Sequence, residues 1–405
     1  MRALAGLALA GGVALVAALA AAQGAGDKTI PREVLDPSAP DWVLDRLAGN
    51  STAGPQFFQG PAREVGGLHK PYVAPAPDGT VYLGDQGRIL SVSPDGALRL
   101  LAGGGANRGN CPAPEAAIKI ESIAYCPADK GVYFCHRTMP TVRRLVKTDG
   151  RWRVEVVAGA PGEKAGRDGP AAQARFLGPR SLAVTDRGVV YLLDGKSSPK
   201  RLCRIAEGRV TTLANFTGGD RSIADGPLAG ANLSVTNMSG HICLGDDDRT
   251  LYIADHWHFA VRKIDLKAGT IATVAGGNRH TALFRRRKGQ ADGPALTHAT
   301  FHSGCAFVAW DPVHKALWCG GPDANRLRWL KDGWVRTVIP AKGNRYTWPQ
   351  DAVGVPAGDV SLTWTHVRAV DARGRAYIIN GAGPTGVWRG YNRKTDAARG
   401  VDDGR

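Results

Sequence analysis

Residues 182–215, LAVTDRGVVYLLDGKSSPKRLCRIAEGRVTTLAN, decide the fold. Two apolar runs, Leu182-Ala183-Val184 and Val190-Tyr191, flank the polar turn Asp186-Arg187-Gly188 and predict a hairpin. Leu202-Cys203-Arg204-Ile205 supplies a third strand. Glu207-Gly208 then predicts a tight turn, because glycine accepts positive φ, and a short fourth strand ends at Leu213-Ala214-Asn215. Four short strands joined by local turns form an antiparallel sheet with two faces to bury, which a single copy cannot do.

The same unit recurs along the chain. An aromatic residue preceded by an apolar one appears as Val81-Tyr82, Val132-Tyr133, Val190-Tyr191, Leu251-Tyr252, Leu317-Trp318 and Ala376-Tyr377. The intervals are 51, 58, 61, 66 and 59 residues, each long enough for a four-stranded blade with loops. Third strands carry Val142-Arg143-Arg144-Leu145, Val261-Arg262-Lys263-Ile264 and Leu327-Arg328-Trp329-Leu330, so much of the arginine falls at one repeated position. Fourth strands end at Leu101-Ala102-Gly103, Val157-Ala158-Gly159 and Val274-Ala275-Gly276, and a lone copy, Leu47-Ala48-Gly49, precedes the first unit. The sixth unit ends near Val387-Trp388-Arg389 without a fourth strand. The N-terminal segment from Asp41 is therefore expected to cross back and complete it, which removes the open sheet edges. The fold class is all-β: a six-bladed β-propeller of four-stranded antiparallel blades, closed by an N-terminal strand in the last blade.

Asp168-Gly169-Pro170, Asp225-Gly226-Pro227 and Asp292-Gly293-Pro294 stand ahead of the first strands of three units. With the apolar-Tyr second strand, the Arg-bearing third strand and the Leu-Ala-Gly ending, this pattern resembles the NHL repeat over about residues 41–391. The third, fourth and fifth units match best, and the second lacks the Asp-Gly-Pro element. The organisation read from the chain is a signal peptide at 1–22, a linker at 23–40, the propeller at 41–391 and a polar tail at 392–405.

Arg2, the uncharged stretch from Leu4 to Leu19 and Ala20-Ala21-Ala22 have the layout of a secretory signal, which places the mature chain outside the cytoplasm: secreted, periplasmic or at the cell surface. No later segment has the length of a membrane span. The formal charge is +16, with 37 Arg against 15 Lys, so polyanions enter as partners, yet the repeated third-strand arginines account for much of the excess as architecture. Seven cysteines without a CxxC pair exclude a zinc knuckle and a thioredoxin-like motif. Cys111 with Cys135, and Cys305 with Cys319, are the pairs able to meet, with buried free thiols as the alternative.

No nucleophile elbow, helical His pair around a Glu or dinucleotide fingerprint is present, and Gly195-Lys196-Ser197 lacks the earlier glycine of a phosphate loop. In a propeller, the loops leading into the first strands and those leaving the second strands gather at one end of the channel. Ligand contacts expected there are Glu121, Arg180, Asp255, His256, Trp257, His258 and Asp323. Asp85, Asp194 and Asp255 also suit loop capping, because a carboxylate at a strand end accepts backbone N–H bonds. His256 and His258, flanking Trp257, suit a sugar ring or a peptide.

Two functional classes follow. The first is a binding or scaffold module for a glycan, peptide or protein, as the NHL resemblance implies for an exported chain. The second is a metal-dependent enzyme of the channel, lyase-like or lactonase-like, and nucleic-acid binding ranks third because export separates the chain from cytoplasmic RNA. His136, His241 and His366 lie in the second, fourth and sixth units, about 120° apart in a six-fold ring, and imidazoles with an open fourth position suit Zn²⁺, with Ca²⁺ as the other divalent candidate. The arrangement is similar to that of peptidyl-hydroxyglycine amidating lyases. Phe134-Cys135-His136-Arg137 and His366-Val367-Arg368 fall where that family has His, while Pro179-Arg180-Ser181 has Arg at the remaining position.

Overall fold

The acidic-glycine pairs turn the chain with the geometry of two-residue hairpin loops. Asp149-Gly150, Glu207-Gly208 and Asp332-Gly333 have positive φ at both residues, which matches the twist of the strands they join. The glycine ending the fourth strands is demanded by close approach. At Gly103, Gly159 and Gly276 φ is +118°, +88° and +74°, and an added Cβ would stand 2.3, 2.4 and 2.2 Å from a carbonyl oxygen.

Stacked through such turns, the strands form six five-stranded antiparallel sheets in this computed structural model, and the first strands of successive sheets touch in a closed cycle. The molecule is an all-β, six-bladed propeller. The structure describes residues 33–398 except 50–58, 67, 86, 137, 196–199, 217–222, 234–240, 278–290, 302–303, 322–325, 341–352, 361–364 and 381–385. The signal segment 1–22 lies outside the described residues.

The strand count differs from the four read in the sequence, because a short strand ahead of each blade pairs with the outer edge of its fourth strand. These are Gln59–Pro61, Cys111–Pro112, Gly169–Pro170, Gly226–Pro227, Gly293–Pro294 and Val355–Pro356. The residue before the strand explains the Asp. Asp168 Oδ2 accepts the Thr212 N–H at 2.6 Å and Asp225 Oδ2 accepts that of Thr273 at 3.0 Å. Blade two keeps the device with Asn110, whose Oδ1 accepts the Val156 N–H at 2.7 Å. In blades two, three and four a short polar side chain two residues before proline makes this bond, and Asp-Gly-Pro is one spelling of it.

Trp42–Ala48 closes the ring. It pairs antiparallel with Val387–Asn392, Val43 opposite Tyr391 and Arg46 opposite Trp388, and its other edge carries Val355–Pro356. Residues read as linker continue the attachment: the Thr337 N–H donates to Val34 O, and Trp329 Nε1 donates to Asp36 at 3.0 Å. The start of the polar tail forms a short helix, Arg393–Ala398. No helix among the described residues is long and apolar enough to cross a membrane.

The core is divided into six apolar layers, one between each pair of neighbouring blades. Cys111 belongs to the layer between blades one and two and Cys135 to the next, so they occupy opposite faces of blade two and cannot meet. Cys305 and Cys319 share a layer, yet all seven cysteines are free thiols. Burial pushes their thiols up, Cys203 and Cys319 to about 12, which leaves them unreactive at neutral pH.

The third-strand arginines are buried struts. Arg262 donates to Asn232 O, Ala224 O, Asp225 and Asp255, and Arg328 to Ala291 O, Thr300 O and Asp292. Arg143 donates to Ala117 O at 2.7 Å. Arg204, expected in the same role, is instead partly exposed beside Glu207 at 4.0 Å. Cys203 occupies the Arg262 position, and Arg201, one alternation earlier on the same face, reaches Asp194, Asp168 and Arg175 O.

Candidate functional site

The width of the channel is set by one residue per blade. On the first strands, the positions paired with the six aromatic anchors are Ala74, Ala124, Ala183, Cys243, Ala309 and Ala369. Five alanines and a cysteine leave the centre of the ring open, and all six line a cavity of about 440 Å³. One residue further along, Tyr125 and Trp310 form part of its wall. Each is held flat by the preceding blade: Tyr125 stacks on Tyr82 (5.7 Å, 10°) and Trp310 on Tyr252 (5.6 Å, 9°). Asp186, Asp246 and Asp371 stand at the rim. Lys315 neutralises Asp246, and Arg375 neutralises Asp371.

The opposite end of the cavity is a polar bar. Arg368 reaches from blade six to blade four, where a guanidinium nitrogen lies 2.9 Å from His241 Nε2, and its head lies over the Tyr72 ring of blade one, 4.4 Å from the centroid. A β-bulge produces this reach. Val367 pairs with Ile378 and Ala369 with Tyr377, which makes Arg368 the extra residue. An extra residue is freed from the ladder and its side chain re-aimed. The same irregularity occurs on the first strand of blade three, between Pro179 and Ser181, and the extra residue there is Arg180. Among the described pairings of first with second strands, these are the two bulges.

The electrostatics follow from enclosure. Burial, then the charges of Arg368 and Arg180, push the His241 imidazole down to about 3, and His366 is held well below its ordinary range by burial, Arg368, His241 and Lys70. His136 is pushed down to about 4 by burial and by Lys119 and Arg180. All three imidazoles are neutral at pH 7, so the fixed charge on the bar is the guanidinium.

Of the ten residues expected from sequence, His241 alone lines the cavity. Glu121 and Arg180 face each other at 4.0 Å beyond the bar. Asp255 is fully buried and joins His258 Nδ1 at 2.8 Å and Arg262 at 3.3 Å, so both Asp255 and His258 hold their loop in place. Trp257 is half exposed, and its ring meets His256 edge-on at 5.2 Å. His136 Nδ1 accepts the Thr138 N–H at 3.0 Å, and the His366 ring lies 5.5 Å from that of Phe307. Asp323 lies outside the described residues. The cavity opens at the finishing ends of the first strands, whereas the expectation placed ligands at their starting ends.

Among the described residues, no group of three or more His, Cys, Asp or Glu stands at ligating separation. His241 presents Nε2 to a guanidinium, and a second cation, Arg180, acts on it. This donor set does not fit a divalent ion, and no step through one is derived.

No family model matches the sequence, and no curated protein matches it. Solved structures do. A protein of unknown function from Bacteroides thetaiotaomicron is 16% identical, with a TM-score of 0.59 over 86% of this chain and 76% of its own. An auxiliary nutrient binding protein from the same organism is 13% identical (TM-score 0.58; 87% and 76% covered), and one from Bacteroides ovatus 12% (0.56; 87% and 77%). At these identities the likeness is one of fold.

Proposed function

We propose that the chain is an exported binding propeller that takes up a small ligand, such as a sugar, a sugar derivative or the end of a peptide, in its channel cavity. The observation that carries this reading is the ring of small residues. Five blades place alanine where a larger apolar residue would fill the centre, and the room so made is walled by two rigid aromatic rings and ended by a polar bar. A preformed pocket with rigid aromatic walls and a few fixed polar groups is the usual form of a small-ligand site. Two of the similar folds are auxiliary nutrient binding proteins, a role of the same class. The NHL resemblance and the signal-like residues 1–22 support a module working outside the cytoplasm, which N-terminal sequencing of extracytoplasmic protein checks against a start at Gln23.

Filling the ring tests the reading. Ala124 is half-buried at the cavity wall, so Ala124→Leu should fold while occupying the space. In a thermal-shift screen of monosaccharides, sugar acids and dipeptides, compounds that stabilise the wild type should lose their effect on Ala124→Leu. Equal stabilisation of both proteins would place binding elsewhere.

A further inference from the structure

We propose that the ligand carries a carboxylate, and that Arg368 is the residue that binds it at the end of the cavity; this rests on the cavity being the binding site. Four observations carry the proposal. Arg368 lines the cavity, and the bulge at its position turns it toward the centre of the channel. Of its five N–H donors, one hydrogen bond to a described residue is made, to His241 Nε2, while the enclosed Nε has no partner. No described carboxylate pairs with it, in contrast to Arg201, Arg262 and Arg328, each of which has at least one Asp. His366 Nδ1, two residues back on the same strand, is also enclosed without a partner.

An enclosed cation without a counter-ion is costly, and an anion that enters the cavity offsets that cost. The neighbours sharpen the choice. Burial holds the Arg368 guanidinium below its ordinary range, with Tyr72 alone acting the other way, and Arg180 and Lys70 add positive potential near His241 and His366. The ligand end at this bar is therefore an anion. The middle of the wall is alanine with Tyr125 and Trp310, and the carboxylates of Asp186, Asp246 and Asp371 stand at the other end, the rim, two of them paired with Lys315 and Arg375. A single planar fork with one imidazole beside it suits one carboxylate on a less polar body, as in a sugar acid or another small organic acid.

The probes are sodium acetate, sodium galacturonate and uncharged galactose, each measured against sodium chloride at equal ionic strength by calorimetry and thermal unfolding. Acetate and galacturonate should bind, galactose more weakly, and Arg368→Gln should weaken galacturonate on the order of tenfold or more. Without organic acids, Arg368→Gln should unfold at the same or a higher temperature than the wild type, because the substitution removes an enclosed cation that no described carboxylate neutralises; a structural strut would give a lower one. Galactose and galacturonate binding equally, with no change in Arg368→Gln, would overturn the carboxylate while leaving the cavity reading intact. A lowered melting temperature of Arg368→Gln, or no difference between the organic acids and chloride, would also overturn it. Binding of these probes that persists in Ala124→Leu would instead count against the cavity.

Discussion

Trp42→Ala should lower the unfolding free energy by ~3–5 kcal/mol, the range for removing a buried aromatic side chain. Trp42 is fully buried, and its ring packs edge-on against Trp318 at 5.0 Å and Trp329 at 5.9 Å, so the cavity left behind cannot collapse without moving two further indoles. The strand that carries it is the one junction of the ring made between the two ends of the chain. Deleting residues 33–48 should do more, because it also exposes the edge of Val387–Asn392 and removes the Asp36 bond to Trp329. Denaturant unfolding followed by tryptophan fluorescence checks both. A midpoint unchanged in the deletion would show that the ring does not need this closure.

Arg262→Met should cost ~3–5 kcal/mol, while Arg204→Met should stay within about 0.5 kcal/mol of the wild type. Arg262 is fully buried and ties Asp255, Asp225 and two carbonyls across blade four. Without it the buried Asp255 carboxylate loses its guanidinium partner, and the Ala224 and Asn232 carbonyls each lose a donor. Arg204 sits on the opposite face of its strand, loosely beside Glu207. Equal effects of the two substitutions in chemical denaturation would contradict the assignment of the repeated arginine as a strut.

What was legible in the sequence followed from local chemistry at fixed offsets. A turn such as Glu207-Gly208 has positive φ at both residues, and Tyr191 packs into the buried layer between blades three and four, so repeats of these elements announce blades wherever they occur. The closure was legible for the same reason, since Leu47-Ala48-Gly49 is a fourth-strand ending with no blade before it. The fifth strand was missed in every blade, since Asp-Gly-Pro reads as an element ahead of the first strand, and in blade two the element itself was missed because Asn110-Cys111-Pro112 performs its task with other residues. The site was mostly not legible. The alanine ring consists of residues that look like ordinary strand positions until the register with the aromatic anchors is known. Arg368 was read as a neighbour of His366 because a bulge has no sequence signature, and without it the arginine would not reach His241. Asp255 and His258 drew attention as polar residues at a loop, and the structure buries both and joins them at 2.8 Å. The available signal was arginine on the first strands of opposite blades, at Arg180 and Arg368, where the remaining blades carry uncharged residues, His or Glu.

The central claim is that the channel holds a carboxylated ligand against Arg368, and a crystal structure of the protein grown with galacturonate tests it most directly. The account predicts density for the sugar inside the alanine ring, with its carboxylate within hydrogen-bond reach of the Arg368 guanidinium and its ring alongside Trp310 or Tyr125. Galacturonate bound at the exposed Trp257 face, with the cavity holding solvent alone, would contradict it.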